Sequence, residues 1–232
     1  SPKRGLDKPT SVLAGDAQVT AAALGLMGCD LVIPSVYDLS YGPRGLEFLA
    51  DAAVPAVSLN ARPLQPCRSL VGKHVKAVAG RRVGIMGITR SADMKKSPPY
   101  RRDDVDAWIE VLPPVEAAAA ELRGDKWDDV DAIIVLGQLS KHDAAKLLRA
   151  GTAARRIVAF ITCDDTTLRD GAYGASGYTT HETTGRVGGV PFVVCAQGQY
   201  WLDVIHIAAA GGVVRYGHTT RELGDGVAMD VA

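Results

Sequence analysis

The chain has 232 residues, with 26 Lys plus Arg set against 26 Asp plus Glu, so its formal net charge is zero. A nucleic-acid binder needs a basic surplus to displace counterions, and that balance argues against the class. No apolar run approaches the roughly 18 residues of a membrane span, and a core of this size needs no disulfide or metal staple.

In chain order, residues 11–14 (SVLA) read as a short apolar strand ending in Gly15-Asp16. Residues 17–27 are an Ala/Leu-rich helix closed by Gly28, a residue suited to the left-handed cap position. Residues 31–35 form a buried strand, 45–53 a helix with Leu46, Leu49 and Ala50 on one face, and 56–59 the next strand. Residues 74–78 and 82–88 flank Gly80-Arg81 as a hairpin, and a Pro- and charge-rich loop covers 90–106. Residues 115–123 (VEAAAAELR) are a strong helix, 132–136 an apolar strand, 141–150 a basic amphipathic helix and 157–161 a further strand. The Gly/Thr-rich stretch 169–189 reads as loop, too long for an idle turn. Residues 192–195, 201–208 and 213–216 complete the pattern as strands. Alternation early and a meander late give a mixed α/β fold, a sheet flanked by helices, expected as a single domain over 1–232.

Cys29, Cys67, Cys163 and Cys195 lie far apart with no C-x-x-C, so neither a zinc ribbon nor a c-type haem site is encoded. One or two disulfides are compatible with them, and so are buried thiols at Cys29 and Cys195. The first residues, Ser1-Pro2-Lys3-Arg4-Gly5, do not have the make-up of a signal peptide and are compatible with a processed or trimmed end.

The stretch Gly28-Cys29-Asp30 to Tyr41-Gly42, with the helix after it, resembles the metal-binding loop of the 5'-nucleotidase branch of calcineurin-like metallophosphoesterases. Those enzymes read G-Y-D-x-x-x-x-G-N-H-E-F-D-Y-G here; this chain has Val36 at the Asn, Tyr37 at the His and Asp38 at the Glu. The resemblance runs in register from about Val12 to Asp230. Residues 12–16 (VLAGD) are similar to the strand ending D-x-G-D, which would make Asp16 the metal-bridging carboxylate. Residues 83–89 (VGIMGIT) match the strand after the hairpin, and 131–140 (DAIIVLGQLS) put Gln138 at a metal-ligand His. Residues 157–164 (IVAFITCD) lead to the G-H-T-H position, with Thr162 and Asp164 at its two His. Residues 191–206 resemble the closing meander. No counterpart of the family's opening D-x-H strand or of its C-terminal nucleotidase domain is found.

The resemblance therefore implies a metallophosphoesterase-like α/β sandwich with most metal ligands replaced. Two-metal phosphoesterases hold their ions about 3.5–4 Å apart to activate water and clamp the leaving oxygen. Val36 cannot ligate, Thr162 is a poor ligand, and from the cleft positions Asp16, Asp38, Gln138 and Asp164 two carboxylates and an amide would hold one weak hard ion at best. No catalytic residue and no cofactor are expected; were the chain active, two divalent metals such as Mn or Zn would be needed. The implied role is a catalytically degenerate domain serving as a structural or docking subunit, exported to the periplasm or cell exterior as its relatives are. Similar degenerate domains occur beside multihaem cytochromes, which implies a redox partner of that kind. The alternatives are an active phosphoesterase with altered ligands and ligand binding in the vestigial cleft without turnover.

Other candidates stand beside ordinary readings. Arg90, Lys95, Lys96, Arg101 and Arg102 gather in one loop, either a patch for an acidic partner or a solvated surface. His142-Asp143 suggests a base, but a first-turn pair supporting a helix N-terminus accounts for it. His181-Glu182 reads as a solvated loop pair, Cys163-Asp164-Asp165 as structural, and Tyr200-Trp201 as the rim of the core.

Overall fold

The structure is a computed structural model and describes residues 10–39, 41–89, 106–137, 139–162, 184–195, 201–210 and 213–222. Helix α1 spans Thr10–Leu26, a helical turn α2 Val36–Leu39, and α3 Pro43–Asp51. Short strands β1 (Ala56–Val57), β2 (Ala61–Pro63) and β3 (Leu70–Val71) follow, then β4 (His74–Val78) and β5 (Arg81–Ile88). After β6 (Ile109–Val111) come α4 (Pro114–Arg123), β7 (Ala132–Gly137), α5 (Lys141–Leu147), a 3-10 turn (Thr152–Arg156) and β8 (Ile157–Thr162). β9 (Thr184–Val187), β10 (Val190–Val194), β11 (Trp201–Ala210) and β12 (Val213–Glu222) complete the described elements.

The main sheet has the order β4-β5-β7-β8-β10-β9. Its four inner strands are parallel, and β4 and β9 close its edges as antiparallel hairpin arms. Parallel neighbours need crossovers, which α4 supplies between β5 and β7 and α5 between β7 and β8. β11 and β12 form a separate ten-residue antiparallel pair, and β1-β3 and β2-β6 form two small sheets.

Two apolar clusters hold these pieces. One joins Met86, Ile88, Ile133, Val135, Ile157, Phe160 and Phe192 of the sheet to Ala118 and Leu122 of α4 and Ala144 and Leu147 of α5. The other gathers Ala21 of α1, Leu46, Phe48 and Leu49 of α3, Ala56, Ala61 and Ile109. β5 connects them. Strand side chains alternate in direction, so Met86 and Ile88 face the first cluster while Gly87 faces β1. A Cβ on Gly87 would lie 2.2 Å from Val57 O, and the Gly87 carbonyl accepts from Leu59 N–H at 2.9 Å. Only hydrogen fits between β5 and β1. Among the described residues, no helix is long and apolar enough to cross a membrane.

Several expectations are corrected. Residues 11–14 are helical, the first turns of α1. Ala and Leu dominate the segment, and extending an existing helix adds a bond per residue, which outweighs the roughly 1 kcal/mol cost of Gly15. The end of α1 is as expected. Gly28 has φ 69°, its N–H reaches Gly25 O at 3.0 Å, and Cys29 N–H reaches Leu24 O at 3.0 Å, the paired bonds of a Schellman cap. Residues 31–35 form no strand, only a parallel bridge from Val32 to Ala56. Pro34 has no N–H to give a ladder, and Ser35 is taken by the turn α2. The hairpin between β4 and β5 turns on Ala79-Gly80, one residue before the expected turn; both have positive φ (49° and 76°), the type I′ geometry. Gly188-Gly189 makes the same turn between β9 and β10 inside the stretch read as loop. Cys29 and Cys67 are thiols, not half-cystines; Cys29 Sγ lies 3.2 Å from Leu31 O.

Candidate functional site

Parallel strands deliver their carboxyl ends to one side of a sheet, where loops usually carry the chemistry. Here the register aligns Ile88, Gly137, Thr162 and Val194 across β5, β7, β8 and β10. The residues that follow these four are Thr89, Gln138, Cys163 and Cys195, so the expected ligand positions follow the ends of neighbouring strands. Gln138 and Asp164 themselves lie outside the described residues, as do Arg90, Lys95, Lys96, Arg101, Arg102, His181, Glu182, Asp165 and Tyr200.

Thr162 is 1% exposed. Its Oγ1 accepts from Leu139 N–H at 3.0 Å and donates to Leu139 O at 3.1 Å, while its carbonyl accepts from Cys195 N–H at 2.7 Å. One hydroxyl thus satisfies both backbone groups of Leu139, shortly past β7, and the Thr162 carbonyl ties in the residue that follows β10. Beside it, Gly137 has φ 145°, and a Cβ there would meet Ile88 O at 2.1 Å. No side chain is admitted at that point of the rim.

At the end of β5, Thr89 belongs to a buried polar network that sequence reasoning missed. Asn60, fully buried, accepts from Thr89 N–H at 2.9 Å and donates to Thr89 O at 2.6 Å and Leu112 O at 2.9 Å. Ser58 Oγ donates to Asn60 Oδ1 at 3.3 Å, accepts from Ala61 N–H at 3.2 Å and lies 2.9 Å from Thr89 Oγ1, which donates to Pro34 O at 2.8 Å. Both Asn60 donors and its oxygen are used, so the amide has nothing left for a ligand. The signal was Ser58 and Asn60, two polar residues flanking Leu59 directly after an apolar strand.

Asp38 is exposed and works as a helix cap. Its Oδ2 accepts from Ser35 N–H and Ser35 Oγ, both at 2.7 Å, while Asp38 N–H donates to Ser35 Oγ at 3.3 Å. These reciprocal bonds form a capping box around α2. Asp143 does the same at α5, accepting from Ser140 Oγ at 2.7 Å and from Ser140 N–H at 3.3 Å. His142 is exposed beside it, so the ordinary reading of that pair holds. Asp16 is the clearest displacement: it lies inside α1, where a strand end was expected. Among the described residues, no three His, Cys, Asp or Glu side chains gather to hold a metal ion. Among these donors, Thr162 Oγ1 and the Asn60 amide serve backbone groups, and Asp38 Oδ2 serves its cap.

Away from the rim, exposed ion pairs knit the amino-terminal side of the sheet. Asp129 accepts from Lys73 Nζ and, at 2.7 Å, from Arg82 Nη2. Lys73, then Arg82, hold its carboxyl below the ordinary 3.8. Lys76 does the same to Asp30 through a 2.5 Å contact.

No protein-family model matches the sequence, and no curated protein matches it. Solved structures do. A 5'-nucleotidase precursor of Thermus thermophilus is 18% identical with a TM-score of 0.63, over 90% of this chain and 42% of that one. An NAD nucleotidase of Haemophilus influenzae is 13% identical with a TM-score of 0.63, over 90% and 37%. A sulfate thiohydrolase of Thermus thermophilus is 14% identical with a TM-score of 0.66, over 94% and 37%. The chain spans about two-fifths of the length of each. Identity this low speaks for architecture alone: the chain shares with these structures a mixed α/β fold, a sheet flanked by helices.

Proposed function

We propose that the chain is a catalytically degenerate 5'-nucleotidase-like domain that acts as a structural or docking subunit of an exported assembly. The observation that carries this reading is Thr162. It stands where the resemblance puts a metal-ligand His, yet its hydroxyl serves both backbone groups of Leu139 from a buried position. Those two bonds fix the hydroxyl in place, and a neutral hydroxyl is a weak ligand where the resemblance puts an imidazole. Asp38 points the same way, its carboxylate engaged by Ser35. Export to the periplasm or cell exterior is proposed by analogy with a fold neighbour named as a precursor. The proposed partner is another exported subunit, a multihaem cytochrome in the redox version of the reading.

The test is elemental analysis of the purified chain, joined to turnover of p-nitrophenyl phosphate and AMP in Mn²⁺. We expect substoichiometric metal and no turnover above the blank. About two metal equivalents with hydrolysis would overturn the proposal in favour of an active phosphoesterase. A nucleotide retained without hydrolysis would replace docking with ligand binding in the cleft.

A further inference from the structure

A groove of about 530 Å³ runs between α5, the 3-10 turn and the hairpin of β9 and β10. Ala145, Leu148, Val187 and Val190 form its floor, with Arg149 and Arg155 on its rim. Leu148, Val187 and Val190 are half-buried: each packs against the sheet's apolar cluster and keeps part of its surface open to the groove. Gly188 sits at the hairpin end, where a Cβ would meet Leu148 Cδ1 at 2.9 Å. The floor is a fixed apolar surface at the margin of the core.

The rim carries one sign of charge. Arg149 Nε donates to Ala145 O at 3.2 Å, which lays its side chain along α5 beside the groove. Arg156 is turned elsewhere, donating to Trp127 O at 2.7 Å and to Asp128 Oδ1 at 2.8 Å. Arg149, Arg155 and the nearby Lys146 are exposed, and among the described residues none of them has a carboxylate partner. No described Asp or Glu lines the groove. The surface cations Arg44, Lys73, Lys76, Arg82 and Lys126, by contrast, are all paired. On a chain of zero net charge, this is a local positive excess available to an anionic partner.

Floor and rim together narrow the partner. A simple anion makes no use of the floor, and an apolar molecule makes none of the rim. The groove is open to solvent, whereas small-molecule sites enclose most of their ligand. An apolar patch inside a polar rim is the anatomy of a protein–protein contact, and rim charges there steer and select the partner. Nucleic acid is a poorer match, because phosphates leave the floor bare and the chain has no basic surplus. So is a second copy, whose Glu121, Asp128 and Asp129 are already held by its own Lys126, Arg156, Lys73 and Arg82.

We infer that the groove docks an acidic segment of a partner protein, one that seats a large apolar side chain on Leu148, Val187 and Val190 and sets carboxylates against Arg149 and Arg155. This gives the docking reading a partner chemistry, and the two fail separately. Bound metal with turnover removes the docking reading, while the groove stands or falls on peptide binding.

Selection of displayed random hexapeptides on the immobilised full chain tests it, followed by fluorescence polarisation of the most enriched sequence. Enriched peptides should carry net negative charge and a large apolar residue. The double variant Arg149→Ala/Arg155→Ala should weaken binding at least about tenfold while its melting curve matches wild type. Ala145→Arg adds positive charge but fills the floor, so it should weaken binding too, which charge alone would not explain. Arg62→Ala, on β2, removes an exposed cation elsewhere and should change nothing. Enrichment without acidic residues, unchanged affinity in the double variant, or full affinity in Ala145→Arg would each overturn the assignment. So would a thymidine oligonucleotide that competes on equal terms with the peptide.

Discussion

Replacing Thr162 by Val tests the reading of the rim with almost no change of shape. Val occupies the same volume and favours strands, so packing and propensity are held nearly constant. What is lost is one hydroxyl that accepts from Leu139 N–H and donates to Leu139 O, at a residue 1% exposed. Each hydrogen bond contributes about 1 kcal/mol net, and each backbone group left buried without a partner costs about 1–3 kcal/mol. Leu139 is itself 3% exposed, so water reaches its backbone poorly and the sum is about 2–4 kcal/mol. For a chain of this length that corresponds to a fall of roughly 4–16 °C in melting temperature. Thr162→Ser keeps the hydroxyl, gives up one methyl and should cost only about 0.5–1.5 kcal/mol. Urea unfolding followed by far-ultraviolet circular dichroism supplies both numbers. If Val proves as stable as wild type, or Ser proves the worse of the two, the hydroxyl is not what joins β7 to β8.

Three further outcomes follow from the same geometry. Ala53 and Ala79 hold positive φ, 58° and 49°, a region that suits Gly and Asn. Ala53→Gly and Ala79→Asn should each raise stability by roughly 0.5–1 kcal/mol, seen as a higher urea midpoint at constant slope. Gly87→Ala should cost about 3 kcal/mol or more through its collision with the Val57 carbonyl; folding without loss of melting temperature would refute that close approach. Asp129 has a folded pKa held below its ordinary 3.8 by Lys73 and Arg82. Such a group stabilises the fold above pH 3.8 and loses that contribution as pH falls through the depressed folded value. Asp129→Asn should therefore show a shallower decline than wild type between neutral pH and about pH 2.5, and parallel declines would remove the pair from the acid response.

The order β4, β5, α4, β7, α5, β8 and β10 was legible because it rests on patterns a sequence displays, whereas the short strands β2, β3, β6 and β9 were not. Fully apolar runs such as residues 132–136 and 157–161 had to be buried, and short crossovers made them parallel. Turn chemistry was harder to place. Gly80-Arg81 was read as a turn where Ala79-Gly80 makes it, since nothing local favours Ala with positive φ. The strand assigned to residues 11–14 failed because four apolar residues fit either period, and the Ala-rich segment after them decides for helix. The residues Val36, Tyr37 and Thr162 could be set against the resembled motif in the sequence, but the task of Thr162 could not be read there. Its partner Leu139 is 23 residues away, and Asn60 binds across 29 and 52 residues. Pairings at such separations leave no local trace.

The rim also bears on the proposed reading, in which the fold is kept without catalysis. Catalytic sites hold polar groups unsatisfied or strained until substrate arrives, and stability is spent to keep them so. Along this sheet end the opposite has happened. Thr89, Asn60, Ser58 and Thr162 answer one another or the backbone, and the bonds run between segments distant in sequence: residue 34 to 89, 60 to 112 and 139 to 162. Each clamps a strand end to a loop the sheet alone would leave loose. Such a rim suits a surface whose shape must persist, as a docking subunit requires. It is poorly suited to one that must rearrange around a substrate, because every movement would first break buried hydrogen bonds.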